Sequence, residues 1–212
     1  RWKGVLVAAD QFASALDSET ETISSSLFKA PDLSFYNRQS KLHPLSTLPA
    51  DSSSPNSLVA APTGAGKTDY LLRRSRNRIF YTLPFQASIN AMYKRLQHDL
   101  RDTDADIRLL HSTSELIIEN GKYEERVLQG MVGASIKVLT PHQLASIVFG
   151  TRGYETLLLD LQGNDVILDE IHTYTRVSQA IVIELVKLLK AVGCRLHIGT
   201  ATMPSSLKQE IL

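Results

Sequence analysis

The chain has 212 residues, of which 43% are hydrophobic and 21% charged, and its formal net charge is +1. This composition excludes an intrinsically disordered chain, which would hold fewer apolar residues and a larger net charge. It also excludes a strongly basic surface that attracts nucleic acid over a distance, although backbone amides and hydroxyls remain available for phosphate contacts.

Cysteine content and hydropathy indicate where the protein acts. Cys194 is the single cysteine and has no partner for an internal disulfide, which is typical of a reducing cytoplasm. No apolar run is long enough to cross a membrane, so we expect a cytoplasmic protein without a membrane partner. Since the chain begins at Arg1 rather than Met and stops within a predicted helix at Leu212, we also expect a piece of a longer protein.

Three regions follow one another along the chain. Residues 1–16, RWKGVLVAADQFASAL, form a predicted apolar helix, and residues 17–56 are rich in Ser, Pro, Asp and Asn and predict a linker. From residue 57 to residue 212, short apolar runs alternate with amphipathic stretches. The runs predict six strands: SLVAAP, RIFYTLP, IRLLHS, IKVLTP, DVILDE and CRLHIGTAT. The alternation predicts an α/β fold, in which helices cover both faces of a parallel sheet.

Two amphipathic helices are predicted between these strands. The first is FQASINAMYKRLQHDL, in which Phe85, Ile89 and Leu96 fall on one helical face. The second is TRVSQAIVIELVKLLKAVG, where Gly193 is the predicted C-terminal stop.

The stretch APTGAGKT, residues 61–68, joins the first predicted strand to a helix and has the composition of a phosphate-binding loop. Its glycines allow a tight turn that aims backbone N–H groups inward, and the helix directs its positive end at the same point. Lys67 can then reach the β- and γ-phosphates, and the Thr68 hydroxyl can bind Mg²⁺. Ala61 stands where the general pattern has Gly, and the alternative is a plain strand-to-helix turn. The predicted cofactor-binding residues are Thr63, Gly64, Ala65, Gly66, Lys67 and Thr68.

The stretch DVILDEIH places Asp169 and Glu170 at the end of an apolar strand, the edge at which open parallel sheets bind ligands. Asp169 is positioned to hold Mg²⁺, directly or through water, and Glu170 to orient and deprotonate an attacking water. The alternative is that both carboxylates cap the helix that follows. The strand context favours the first reading and predicts hydrolysis of a nucleoside triphosphate.

A third stretch, GTATMP, again follows an apolar strand, and Thr200 and Thr202 offer hydroxyls near the same edge. In this order, APTGAGKT, DEIH and TAT resemble motifs I, II and III of a superfamily 2 helicase, which implies a RecA-like first helicase lobe that binds ATP and Mg²⁺. The stretches YTLPFQASINAMYKRL, VLTPHQL and DEIHTYT resemble the CRISPR-associated helicase-nuclease of type I interference. The resemblance covers residues 57–212 and implies that His172 couples the nucleotide site to motif III, in which Thr200 and Thr202 are the further coupling residues.

The same resemblance extends to the predicted N-terminal helix. LVAADQFASA resembles the last helix of the HD-type nuclease domain that precedes the motor in that family. Asp10 would then be a metal ligand, and the alternative is a surface aspartate on an amphipathic helix. Because the histidines of an HD site are not in this chain, we expect no nuclease activity.

The family also implies a single-stranded-DNA partner that the first lobe holds by its phosphates. Helix N-termini and hydroxyls suit such contacts, and the alternative for each is ordinary loop structure. The predicted nucleic-acid contacts are Pro84, Phe85, Thr140, His142 and Gln143. A basic cluster after the phosphate loop is predicted to be a solvated helix end: Arg73, Arg74, Arg76 and Arg78.

The resemblance implies an ATP hydrolase and helicase in the parent protein, recruited by an RNA-guided surveillance complex. Because no second-lobe motif follows motif III, we expect this chain alone to hydrolyse ATP poorly. Three alternatives remain open. They are another superfamily 2 motor, such as an RNA helicase or a restriction-enzyme motor, a non-catalytic nucleic-acid-binding module, and a phosphate-loop ATPase that acts on protein.

Overall fold

The computed structural model describes residues 2–15, 27–110, 132–151, 153–203 and 208–209. Six parallel strands form one sheet in the order β1-β6-β5-β2-β4-β3. The strands are β1 Ser57–Ala60, β2 Ile79–Thr82, β3 Ile107–Leu109, β4 Ile136–Leu139, β5 Asp165–Leu168 and β6 Arg195–Thr200. All six lie within the predicted apolar runs, and the predicted α/β class is confirmed.

Helices lie on both faces of the sheet among the described residues. They are α1 Trp2–Ala15, α2 Lys67–Arg74, α3 Gln86–Asp99, α4 Pro141–Leu144, α5 Ser146–Phe149, α6 Tyr154–Leu161 and α7 Arg176–Ala191. In this part of the chain, no helix has the length and apolar character needed to cross a bilayer. The α7 helix ends at Ala191 and Gly193 follows with φ 81°, so the predicted C-terminal stop is confirmed.

Alternation along the strands divides the interior into two cores. Phe80, Val166 and Leu168 belong to the core under α5, α6 and α7. Tyr81 and Ile167, one residue out of step, belong to the core under α2 and α3. Because side chains of a strand point to opposite faces in turn, nearly continuous apolar strands are what a sheet covered on both sides requires.

The predicted face of α3 is partly wrong. Ile89 and Leu96 are fully buried, but Phe85 precedes the helix as its N-cap and is 56% exposed. Because Phe85 lies before the first turn with an extended backbone, it does not follow the helical spacing that buries Ile89 and Leu96.

Much of the predicted linker packs on the sheet domain. Its described portion, residues 27–56, contains two 3₁₀ helices, Ser34–Asn37 and Pro44–Thr47. Tyr36 is fully buried in the core under α2 and donates its hydroxyl to Asp99 Oδ2 at 3.1 Å. The rest of the linker, residues 17–26, lies outside the described residues, and the proposed domain boundaries stay predictions.

The prediction of a solvated helix end is wrong for Arg74 and Arg78, whereas Arg76 is exposed and Arg73 is half-buried. Arg74 is 2% exposed and donates to the carbonyls of Ala50 and Ser54, at 2.8 and 2.6 Å. Arg78 is 5% exposed and binds the Asp160 carboxylate at 2.6 Å. Long cationic side chains are buried when carbonyls and carboxylates satisfy their donors, and a sequence does not reveal that supply.

The α1 helix packs on α6 through a close approach at Gly4 and an ion pair between Lys3 and Glu155. Asp10 is exposed on α1. No group of three or more His, Cys, Asp or Glu residues that could hold a metal ion occurs within the described residues. The metal role of Asp10 therefore stays a prediction.

Candidate nucleotide and nucleic-acid site

The predicted phosphate loop lies between β1 and α2. Gly66 is the N-cap of α2 with φ 87°, and Gly64 has φ 84°, a left-handed backbone that L side chains adopt only with strain. The preceding segment supports the loop from outside, since His43 Nδ1 lies 2.7 Å from the Gly64 carbonyl and the Leu45 N–H donates to Ala65. These contacts support the loop, residues 61–66, which forms a cradle at the N-terminus of α2.

Lys67 sits inside this cradle and is 6% exposed. Its Nζ donates to the carbonyl oxygens of Ala61 and Pro62, at 2.8 and 3.3 Å. Both of these partners are neutral carbonyls, and a charge-assisted contact with an anion would be stronger than either of them. Together with the free N–H groups expected in the first turn of α2, Lys67 forms a site suited to phosphate.

Asp169 follows β5 directly and is 3% exposed. Its Oδ1 accepts from the Glu170 N–H at 2.9 Å, and its Oδ2 accepts from the Tyr81 hydroxyl at 2.6 Å. At Gly199, a Cβ atom would overlap Asp169 Oδ1, so the carboxylate packs against the backbone of β6. A fixed carboxylate and the Thr68 hydroxyl are the hard oxygen donors that fit Mg²⁺.

Glu170 has φ 56°, a left-handed conformation that is uncommon for a residue with a side chain. Such strain persists where the surrounding structure enforces it, commonly at functional sites. The Glu170 side chain is 32% exposed, and its Oε2 lies 3.3 Å from His172 Nδ1. The turn therefore directs a solvent-accessible carboxylate out from the strand end and does not cap a regular α-helix, since Ile171–Thr173 is a single 3₁₀ turn.

His172 connects this turn to the end of β6. Its Nδ1 lies 3.2 Å from Thr200 Oγ1 and accepts from the Ala201 N–H at 3.3 Å. The Thr200 hydroxyl donates to the Thr202 carbonyl, so Thr202 contributes its backbone to this network, while its side chain is exposed. The structure thus brings together His172, Thr200 and Glu170 as the sequence predicts, and Thr202 through a different atom.

The predicted nucleic-acid contacts divide into two groups. Thr140 and Gln143 form a capping box at the start of α4, in which Gln143 Oε1 accepts from the Thr140 N–H at 2.7 Å. Both side chains therefore have a local structural role. Phe85 and His142 are exposed, and Pro84 is half-buried. These positions stay predictions.

Sequence reasoning missed two tyrosines beside Asp169. Tyr81 is fully buried, and burial together with the Asp169 charge raises its pKa well above the usual value. Tyr174 is 8% exposed, and its hydroxyl has no hydrogen-bond partner among the described residues. Burial and the Asp169 charge raise the pKa of Tyr174 as well. Tyr81 stands out in the sequence only as a phenol within an otherwise apolar predicted strand.

Comparison with known proteins agrees with this arrangement. Residues 43–210 match the family model described as DEAD/DEAH box helicase. The chain is 28% identical over 221 residues to the CRISPR-associated nuclease/helicase Cas3 of Methanothermobacter thermautotrophicus, covering 95% of this chain and 26% of that protein. It is 24% identical over 188 residues to the CRISPR-associated endonuclease/helicase Cas3 of Thermus thermophilus, covering 73% of this chain and 20% of that protein.

Solved structures give the same fold. The crystal structure of T. fusca Cas3-AMPPNP aligns with a TM-score of 0.69 at 21% identity, covering 88% of this chain and 24% of that one. The Cas3-ATP structure from the same organism aligns with a TM-score of 0.67 at 20% identity, covering 87% of this chain and 23% of that one. The chain spans about a quarter of the length of the Methanothermobacter relative. Because the family model covers most of the chain, this protein belongs to the DEAD/DEAH box helicase family.

Proposed function

We propose that this chain is the ATP-binding first lobe of an ATP-dependent single-stranded-DNA translocase that acts in CRISPR interference against foreign DNA. One observation carries the proposal. Lys67 in a glycine cradle and the fixed carboxylate of Asp169 meet at one sheet edge, where His172 also links Glu170 to Thr200. The similarity to Cas3 proteins supports the CRISPR branch within the helicase family.

Different residues would bind the phosphates and the metal ion. Backbone N–H groups of residues 63–68 surround the phosphates, and Lys67 exchanges the Ala61 and Pro62 carbonyls for phosphate oxygens. The Thr68 hydroxyl and the Asp169 carboxylate would hold Mg²⁺. When bound, this ion neutralises charge on the phosphate oxygens during transfer.

Glu170 acts on the attacking water. Its carboxylate is partly exposed and adjoins Asp169, so it can orient a water beside the terminal phosphate and accept its proton. His172 touches both Glu170 and Thr200, and any movement of Glu170 on hydrolysis is transmitted to the end of β6. This path is the proposed coupling between nucleotide state and movement on the nucleic acid.

The nucleic-acid partner is single-stranded DNA, and exposed Phe85 and His142 are the proposed contacts. The parent protein is proposed to be recruited by an RNA-guided surveillance complex and to act in the cytoplasm. The unpaired Cys194 thiol is buried, and burial raises its pKa to about 12, so it is protected from oxidation. An unreactive thiol is consistent with a reducing compartment and with no redox role.

Hydrolysis of ATP by this chain, measured with Mg²⁺ alone and with added single-stranded DNA or RNA, tests the proposal. From the low basal rate expected of this chain alone, we expect DNA to raise turnover, and Glu170→Gln to remove turnover while the protein still binds nucleotide. Glu184→Gln on the exposed side of α7 is the matched control and should turn over like the wild type.

Other outcomes favour the alternatives. Stimulation by RNA alone would indicate another superfamily 2 motor. A lack of nucleic-acid binding with normal nucleotide binding would indicate a phosphate-loop ATPase that acts on protein. DNA binding with no nucleotide binding would indicate a non-catalytic binding module. Turnover that survives in Glu170→Gln would contradict the assigned role of Glu170.

A further inference from the structure

One phenol hydroxyl lies beneath the candidate site, contacts one of the two proposed metal-binding side chains and lies near the other. Tyr81 is fully buried in β2, and its hydroxyl donates to Asp169 Oδ2 at 2.6 Å. The Thr68 side chain lies near the same hydroxyl, close enough to lower the Tyr81 pKa. Tyr81 therefore joins motif I to motif II from a strand that belongs to neither motif.

The sheet register explains this position. Tyr81 lies opposite Ile167 across the β2–β5 ladder, and Asp169 is two residues beyond Ile167 on the same face. That face is covered by α2, whose first turn contains Thr68. The ring fills the core under α2, while its hydroxyl extends toward the edge of the sheet at which β5 ends and the phosphate loop begins.

The contact restrains the Asp169 carboxylate. Its other oxygen is already held by the Glu170 N–H, and its flank lies against the backbone at Gly199. With a buried hydroxyl donating to Oδ2, rotation of the carboxylate would break a short, buried, charge-assisted hydrogen bond.

Packing alone does not account for the phenol. A phenylalanine ring would fill the same space as the Tyr81 ring. Phe80, one residue earlier, packs such a ring into the core on the opposite face of the sheet. A buried hydroxyl costs free energy unless it is hydrogen-bonded, and here its acceptor is the carboxylate at the active edge.

We propose that Tyr81 is a positioning residue that fixes Asp169 in the arrangement that, together with Thr68, binds the divalent cation. This inference rests on the proposed function, because it assumes that the edge binds a nucleotide with Mg²⁺. Groups that orient metal ligands commonly change metal affinity by about 10- to 100-fold when removed. Tyr81 should therefore affect the Mg²⁺ requirement and leave metal-free nucleotide binding unchanged.

The test compares Tyr81→Phe with Tyr36→Phe in this chain. Tyr36 is the matched control, since its buried hydroxyl also donates to an aspartate, Asp99 on α3, which is not a proposed metal ligand. A fluorescent, non-hydrolysable ATP analogue reports binding, first in EDTA and then as Mg²⁺ is titrated. We expect Tyr81→Phe to raise the Mg²⁺ concentration at half-maximal binding by about 10-fold or more, with unchanged affinity in EDTA.

A double-mutant cycle with Asp169→Asn shows whether Tyr81 acts through that carboxylate. The Mg²⁺ shift caused by Tyr81→Phe should vanish in the Asp169→Asn background, whereas a packing defect would weaken binding equally in both backgrounds. An unchanged Mg²⁺ midpoint, an equal loss in EDTA, or an unfolded Tyr81→Phe protein would overturn the inference. If the wild type binds no nucleotide, the proposed function fails as well, and normal wild-type binding distinguishes the two failures.

Discussion

Replacing Asp160 by Asn should destabilise the fold strongly, because Asp160 compensates two buried cations. It is fully buried on α6, and its carboxylate oxygens lie 2.6 Å from Arg78 and 2.7 Å from Lys137. Although burial alone would raise it, the charges of Lys137 and Arg78 hold the Asp160 pKa below the usual value. The amide keeps the volume of the side chain but removes its charge.

The magnitude follows from the cations that remain. Removing one member of a buried ion pair costs about 3–5 kcal/mol. Arg78 cannot lose its proton, but Lys137 can, and burial already lowers its pKa. Neutralising a lysine with an unfolded pKa near 10.4 costs about 4.6 kcal/mol at pH 7 and about 1.9 kcal/mol at pH 9. We expect Asp160→Asn to lose about 3–5 kcal/mol at pH 7.

The sign of the pH effect is set by Lys137. In the variant, the unfolded state binds more protons than the folded state, so the free energy of unfolding rises with pH. Up to about 2.7 kcal/mol of the loss should therefore be recovered between pH 7 and pH 9. Urea unfolding followed by circular dichroism at both pH values measures this, with the exposed Asp102→Asn as control. A loss below about 1 kcal/mol at pH 7 would refute the reasoning.

Two further predictions concern β6. His197 is fully buried, and its Nε2 lies 2.7 Å from Asp165 Oδ1. Burial lowers the pKa of His197. As the pH falls below 6.5, the unfolded state therefore gains a proton at this residue while the folded state keeps it neutral. Stability should therefore fall by up to about 1.4 kcal/mol per pH unit below pH 6.5, and His197→Gln should reduce this slope in urea titrations; an unchanged slope would contradict it. Gly199→Ala should displace the Asp169 carboxylate and raise the Mg²⁺ requirement for nucleotide binding by about 10-fold or more, and a normal requirement would show that the carboxylate has room to move.

The strands and motifs were predictable because they depend on local chemistry. Strands covered on both faces need short, nearly continuous apolar runs, and DVIL and RIFYT have them. A phosphate loop needs Gly where φ is positive, and both Gly64 and Gly66 are in that conformation. Their positions in the sequence therefore predicted the edge at which the site lies.

Contacts between distant segments were not predictable in the same way. Tyr81 reaches Asp169 only because β2 and β5 are neighbours in a particular register, which no single segment specifies. Arg74 is buried because the distant residues 50 and 54 pack against it and accept hydrogen bonds through their carbonyls. The capping role of Thr140 and Gln143 did have a local signal, the T-x-x-Q spacing before an apolar residue.

The central claim is that Lys67 and the surrounding loop bind a nucleoside triphosphate, and equilibrium binding of ATP to Lys67→Ala tests it most directly. Lys94→Ala, on the exposed face of α3, is the matched control because it removes the same charge away from the loop. The account predicts that the wild type and Lys94→Ala bind ATP with Mg²⁺ equally, and that Lys67→Ala binds at least about 10-fold more weakly, as expected from the loss of a charge-assisted contact. Equal binding by all three proteins, or none by the wild type, would contradict it.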